Sequence, residues 1–401
     1  MINKNIPFFD LSRQHKKYEN SINKKIQNVL ETQAFIGGNF VSEFENNFSK
    51  YLNVTHTISC NSGTDALWMA LKALGLKKNE IVLTTPFSFI ASSSEIAAHG
   101  GHPIFIDIDS KTYNLDPKKL EDWIDKECNE NLIHKKTGYK VVGILPVDIF
   151  GQCADYKKIK EIAQKNNLWI IQDSCQAVGS KDEENIFAGN QGDITCFSFY
   201  PTKNLGAYGD GGACTTNNPQ LAEKLTRIRN HGRTSHYNYV EHGVNSRLDG
   251  IQAAILNEKL NYLDDLNDKR REFAAIYNKE LANIINIKLP IPVIGKHVYN
   301  QYSIELIGLN RQEIIDELKS KGVSTNIYYP KGLNQIEFLN TDERLKIECP
   351  ISDNLTENIL ALPIWPELEI EEVKYIANQV RETLQNKNFN LNINNKKNIN
   401  I

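Results

Sequence analysis

The sequence predicts an α/β fold: a large, mostly parallel β-sheet covered by helices on both faces, then a smaller α+β domain. Three observations lead there. Over the first two-thirds of the chain, short apolar or β-branched runs alternate with amphipathic stretches, the pattern of parallel strands joined by crossover helices. A long amphipathic segment from about Gly250 to Leu281 then bridges to a second unit. After it come a strand pattern and two helical ones.

In chain order, strands are expected at Thr55 to Cys60, Ile81 to Thr85, Pro103 to Ile108, Val141 to Val147, Trp169 to Gln172, Ile194 to Phe199 and Gly212 to Thr215. Helical faces lie between several of them, one carrying Leu67, Ala70, Leu71 and Leu74 and another Ile159, Ile162 and Ala163. In the second unit a strand is expected at Gln301 to Leu306, a helix at Arg311 to Lys321 and a closing helix at Glu371 to Leu384. The implied division is a large domain over 1–250, a small α+β domain over 251–385 and a tail over 386–401. The tail is rich in Asn and Lys with little apolar periodicity, so it is expected to be disordered.

The bulk composition narrows the function. The chain has 401 residues, 40% hydrophobic and 24% charged, as an ordinary globular protein does. A net charge of -3 gives no electrostatic reason to expect nucleic acid or an anionic membrane as partner. Met1 to Asn5 lacks the apolar core of a signal peptide, and no apolar run reaches the length of a membrane span. Seven cysteines occur without a CxxC pair, which argues against a disulfide scaffold or a zinc site, predicts no metal and fits a cytoplasmic protein. Neither a GxGxxG fingerprint nor a Walker A sequence is present.

One pairing stands out. Asp173 ends the apolar run Leu168-Trp169-Ile170-Ile171-Gln172, and Lys203 follows thirty positions later in Phe197-Ser198-Phe199-Tyr200-Pro201-Thr202-Lys203. That pair makes sense around a pyridoxal phosphate ring: the amine can hold the aldehyde as an imine, and the carboxylate can keep the pyridine nitrogen protonated. Asn61-Ser62-Gly63-Thr64-Asp65 follows a strand and opens a helix, whose free N–H groups and dipole favour a phosphate; Ser62 as an ordinary N-cap is the competing reading. Ser198 can donate a second phosphate hydrogen bond, Gln176 can cover the ring, and an aromatic of Thr85-Pro86-Phe87-Ser88-Phe89 can stack on it. Arg247 can clamp a carboxylate or phosphate through its planar fork. Singly, each also reads as a strand-end serine, a helix-surface glutamine, a core aromatic or a salt bridge.

Together, and in this order, these stretches resemble the DegT/DnrJ/StrS group of nucleotide-sugar aminotransferases. The resemblance runs from about Ile6 to about Leu384 and is most specific at Ser62 to Leu67, Phe197 to Gly206 and Asn245 to Asp249. It implies an aspartate-aminotransferase-like (fold type I) architecture and pyridoxal 5'-phosphate as cofactor. Lys203 would carry the cofactor and Asp173 would pair with its ring nitrogen. Gly63, Thr64 and Ser198 would bind the phosphate, with Phe89 and Gln176 on the two ring faces. The loop of Asn245 and Arg247 would reach into the neighbouring subunit's site, making a homodimer with shared active sites. The amino donor would be L-glutamate, leaving pyridoxamine phosphate (PMP), and the acceptor a nucleoside-diphosphate keto-sugar.

Two departures bear on this. Asp173-Ser174-Cys175-Gln176-Ala177 stands where Asp-Ala-Ala-(His or Gln)-Ala is usual, and Tyr328-Tyr329-Pro330-Lys331 where His-Tyr-Pro-Pro is common, near the expected substrate. Arg247, Tyr328 and Tyr329 are the expected substrate contacts. The Asn245 to Asp249 form lies closer to members that aminate C3 than C4, with deoxythymidine and uridine carriers both open. Lys203 speaks against dehydratase relatives, in which the lysine is replaced. A non-catalytic regulatory protein on the same fold is the alternative from another class.

Overall fold

The computed structural model describes residues 5–398. Helices α1 (Ser12–Thr32) and α2 (Gly38–Leu52) precede β1 (His56–Cys60), α3 (Gly63–Leu74), β2 (Ile81–Thr84), α4 (Ala91–Ala98), β3 (His102–Phe105) and α5 (Pro117–Glu127). Then come β4 (Val141–Leu145), α6 (Tyr156–Lys165), β5 (Trp169–Asp173), β6 (Ile194–Ser198), β7 (Gly212–Thr216), α7 (Pro219–Ile228) and a hairpin of β8 (Arg233–Ser235) and β9 (Asn238–Tyr239). The chain continues through α8 (Gly250–Leu260), α9 (Leu263–Leu281), β10 (Ile287–Lys288), β11 (Tyr302–Leu306), α10 (Arg311–Ser320), α11 (Pro350–Asn358), β12 (Ile359–Leu362) and α12 (Ile370–Asn398).

Seven strands form one sheet in the order β1-β7-β6-β5-β4-β2-β3. Only β7 runs against its neighbours, pairing antiparallel with both β1 and β6. Alternate side chains of the central strands feed two different cores. Val82, Leu145 and Ile171 pack with Leu67, Ala70 and Leu71 of α3 and Leu225 of α7. Their neighbours Leu83, Ile144 and Ile170 pack on the other face with Leu120 of α5 and Ile159 and Ile162 of α6. At the β6–β7 end, Phe197 and Ala213 pack against Phe44 and Phe48 of α2 and Leu256 of α8. The fold class is therefore the expected one, and the seven predicted strands lie within three residues of their observed ends.

The differences have physical causes. The bridging segment is two helices, not one: α8 ends at Leu260 and α9 restarts at Leu263. Helix α8 is buried over most of its length and packs on the large sheet through Ala253 and Leu256, so it does not join the small unit as a boundary at 251 implies. Conversely Ile6, from the first residues described, bridges to Val323 and is buried with Phe273 of α9 and Val380 of α12. The small unit holds a three-stranded antiparallel sheet, β10-β11-β12, of which only the middle strand is legible in advance. Helix α12 carries on past the predicted end near Leu384 to Asn398, so the backbone over 386–398 is helical where a disordered tail was expected. Once α12 is nucleated by its packed turns, each further residue adds a hydrogen bond, and low apolar content does not end it. Residues 399–401 of that tail lie outside the described residues. Among the described residues, no helix is long and apolar enough to cross a membrane.

Between β10 and β11 the chain crosses the large unit, Val298 N–H donating to the Gly151 carbonyl (2.9 Å) and Asn300 N–H to that of Phe150 (2.8 Å). His297 is buried there, its Nδ1 accepting the Tyr299 N–H (2.9 Å), its ring stacked on Tyr299, and burial pushes its pKa down to about 3. The unfolded chain takes up the proton first, near pH 6.5. His297 therefore contributes stability that is fully present above about pH 6.5 and is lost as the pH falls towards 3. His297→Asn removes the titration. Urea midpoints at pH 7.5 and 5 should show wild type losing roughly 2 kcal/mol more than the variant over that interval.

Candidate active site

Parallel sheets present ligand sites beyond the carboxyl ends of their strands. Here the ends of β1, β2, β5 and β6 converge on a cavity of about 480 Å³. Gly63, Thr64, Phe89, Asp173, Gln176, Ser198, Lys203, Tyr328 and Tyr329 all line it, so nine of the predicted site residues are brought together from five segments. A wider surface groove of about 790 Å³ between α5 and α6 is lined mainly by solvated side chains of both charges and holds no comparable grouping.

Ser62 opens α3. Its Oγ accepts the Asp65 N–H (3.1 Å) as an N-cap, while the Gly63 and Thr64 amides remain as first-turn donors without intrahelical acceptors. The start of α3 approaches β6 so closely that a Cβ on Gly63 would lie 2.7 Å from Ser198 Cβ and 3.0 Å from Cys175 Sγ. On β7, a Cβ on Gly212 would sit 2.3 Å from the Ser62 carbonyl oxygen.

Asp173 is buried, its Oδ1 accepting the Cys175 N–H (3.1 Å) and its Oδ2 the Ser92 hydroxyl (2.7 Å). Its backbone is fixed by its own N–H to the Pro146 carbonyl (3.0 Å) and by the Asp148 N–H to its carbonyl (2.9 Å). Asp148 is itself fully buried and accepts from Gln172, Ser174 and the Ala154 amide; burial pushes its pKa up to about 6 against those bonds. It thus grips the residues on either side of Asp173. Lys203 closes a turn on the Tyr200 carbonyl (2.9 Å), and burial of its amine lowers its pKa, with Cys175 and Asp173 opposing.

Gln176 is not a helix-surface residue. Its Oε1 accepts the Phe150 N–H (2.8 Å) and its Nε2 donates to the Tyr329 hydroxyl (2.9 Å). Phe89 stands at the cavity rim, 55% exposed, whereas Phe87 of the same run is core. Asn245 and Arg247 do not line this cavity: Asn245 is exposed and bridged to Asn230, and Arg247 lies against the Asn230 side chain. Between them Ser246 is buried, donating to Asp65 (2.6 Å) and so tying the loop to α3. Sequence reasoning missed Ser88, Ser92, Asp148 and Ser246. The only signal for Asp148 was its place just past a predicted strand, and for Ser246 its place within the Asn245 to Asp249 stretch; Ser88 and Ser92 carried none.

A family model described as the DegT/DnrJ/EryC1/StrS aminotransferase family matches residues 16–381. The chain belongs to that family. This DegT-family aminotransferase is 36% identical to the "pleiotropic regulatory protein" of Geobacillus stearothermophilus, over 94% of this chain and 98% of that one. It is also 36% identical to a UDP-2-acetamido-2-deoxy-3-oxo-D-glucuronate aminotransferase of Pseudomonas aeruginosa, over 93% and 98%. The crystal structure of a DegT/DnrJ/EryC1/StrS aminotransferase from Brucella abortus superposes with a TM-score of 0.88 at 36% identity, covering 94% of this chain and 99% of that one. NtdA of Bacillus subtilis, solved with bound cofactor PMP, gives 0.86 at 29% identity, over 96% and 86%.

The cofactor of this aminotransferase is pyridoxal phosphate, and the residues fit it: a lysine amine, a buried carboxylate and an open helix start line one cavity, and a Cβ at Gly63 would push that helix start away from Ser198 and Cys175. Gly63→Ala should therefore weaken cofactor binding by roughly fivefold to 150-fold, since overpacking of this kind costs about 1–3 kcal/mol. Gly75→Ala is the control. It strains a φ of +82° at the far end of α3 with open space around it, and should lower stability without changing affinity. Titration of the cofactor-free protein with pyridoxal phosphate checks both.

Proposed function

We propose that the enzyme moves the amino group of L-glutamate to the C3 keto group of a keto-sugar carried on a nucleoside diphosphate. The observation that carries the aminotransferase chemistry is the convergence of Lys203, Asp173 and the α3 start on one cavity. Bound there, pyridoxal phosphate supplies an electron-withdrawing ring that takes up and returns the amino group. Lys203 would hold the cofactor, and Asp173 would keep a proton on the ring nitrogen. Gly63, Thr64 and Ser198 would seat the phosphate, and Phe89 and Gln176 would flank the ring. Because burial makes the Lys203 amine less basic, it would more readily be free to take the proton from the donor's α-carbon.

Tyr328 and Tyr329 would meet the sugar from the side of the segment after α10. The choice of C3 rests on the Asn245 to Asp249 loop and on the 3-oxo sugar in the name of the Pseudomonas relative. The carrier would be UDP or dTDP. The regulatory role raised by the name of the Geobacillus relative would need no turnover, so catalysis decides between the two readings. With excess glutamate and matched 3-keto and 4-keto nucleotide sugars, product should form from the 3-keto compound at least roughly tenfold faster, about 1.4 kcal/mol in the transition state. Preference for the 4-keto sugar would overturn the C3 assignment alone; no turnover with any keto-sugar would overturn the sugar reading.

The working unit would be a homodimer with shared sites. Asn245 and Arg247 stand outside their own chain's cavity, and the nearby β8–β9 hairpin exposes Tyr237, Tyr239 and Val240, with Phe35 and Ile36 also exposed. If Asn245 and Arg247 serve the partner's cavity, a Lys203→Ala chain and an Arg247→Ala chain fail in different sites. A heterodimer of the two concentrates both defects in one site and leaves the other intact. Co-expression of the two variants should restore up to about half of the wild-type rate per heterodimer. Heterodimers with no activity would mean that each site is built from one chain.

A further inference from the structure

The geometry points to Ser92 as a positioning residue that fixes the orientation of the Asp173 carboxylate, with Ser88 orienting Ser92 in turn. The inference rests on the proposed partnership between Asp173 and the cofactor's ring nitrogen. Ser92 lies in the first turn of α4, 1% exposed. A serine there commonly turns its hydroxyl back onto its own backbone, as neighbouring Ser93 does towards the Ile90 carbonyl (3.2 Å). Ser92 instead reaches across 81 positions of sequence to Asp173 Oδ2 at 2.7 Å.

Proton counting gives this chain a direction. An ionised carboxylate only accepts, so the single hydroxyl proton of Ser92 is committed to Asp173. The 2.7 Å contact between the Ser88 and Ser92 hydroxyls then has Ser88 as donor. Asp173 Oδ1 is meanwhile held by the Cys175 amide, 3.1 Å away. The carboxylate is therefore gripped at one oxygen by the loop after β5 and at the other by α4, and cannot turn about its Cβ–Cγ bond without breaking a charge-assisted hydrogen bond. Ser88 and Ser92 both line the cavity beside Asp173, so the chain ends where the cofactor ring would lie.

A double-mutant cycle tests this, with two readouts: the affinity of the cofactor-free protein for pyridoxamine phosphate, and the rate of the half-reaction with glutamate. Ser92→Ala should weaken the first and slow the second roughly tenfold each, the loss expected of one hydrogen bond to a charged group, with KM for glutamate unchanged. Ser92→Thr, which keeps the hydroxyl, should recover most of both, and Ser88→Ala should cost roughly threefold. In an Asp173→Asn background, Ser92→Ala should add little, because the carboxylate it positions is gone. An equal loss in both backgrounds would make Ser92 a packing residue and overturn the proposal, as would no loss in the single variant. If Asp173→Asn alone changes neither readout, the assignment of Asp173 falls first and this inference falls with it.

Discussion

A carboxylate buried at the end of β5 constrains everything around it. Asp173 is removed from water, and a buried charge survives only where the protein supplies hydrogen bonds in place of solvent. The surrounding structure does so from two sides, Ser92 on α4 and the Cys175 amide after β5, while Pro146 and Asp148 fix the Asp173 main chain. Asp148 carries the same burden one layer deeper, with Gln172, Ser174 and the Ala154 amide as its donors. The result is a fixed negative charge aimed into a cavity whose opposite resources are an amine and a helix start.

The antiparallel strand β7 is what lets the helix start come so near. It lies between β1 and β6, and Gly212 at its first position leaves room for the Ser62 carbonyl. Gly63 then rests directly on Ser198 at the end of β6. Two missing side chains bring the first turn of α3 against the end of β6, an approach no larger residue would permit. The loop of Ser246 locks the same corner by bonding Asp65 in the first turn of α3.

The small unit is joined to this frame by polar contacts rather than by packing alone. Gln176 links the Phe150 amide to the Tyr329 hydroxyl. Asp107, just past β3, accepts the Ile351 and Ser352 amides at the start of α11 (3.0 Å each) and the Lys119 ammonium (3.0 Å). Tyr329 is thus tied to the large unit at the cavity wall, and Tyr328 beside it accepts from Asn326 of its own segment.

The succession of strands along the chain, the helix start after β1, and the positions of Asp173 at a strand end and Lys203 in the turn after the next were legible in the sequence, because each is written in neighbouring residues: an apolar run, a cap, a turn. The resemblance to one aminotransferase family joined those local signals into a site. What sequence left open was decided by contacts between distant segments. Ser92 meets Asp173 across 81 positions, Ser246 meets Asp65 across 181, and Gln176 meets Tyr329 across 153. The break at 261–262 and the lodging of Ile6 in the small core arise in the same way, from which surfaces are left to cover once the sheet has closed. Local pattern determines which elements form and which side chains sit at their ends. Only tertiary packing decides which ends meet, since a serine hydroxyl has no preferred partner until the fold removes water and leaves one acceptor within reach.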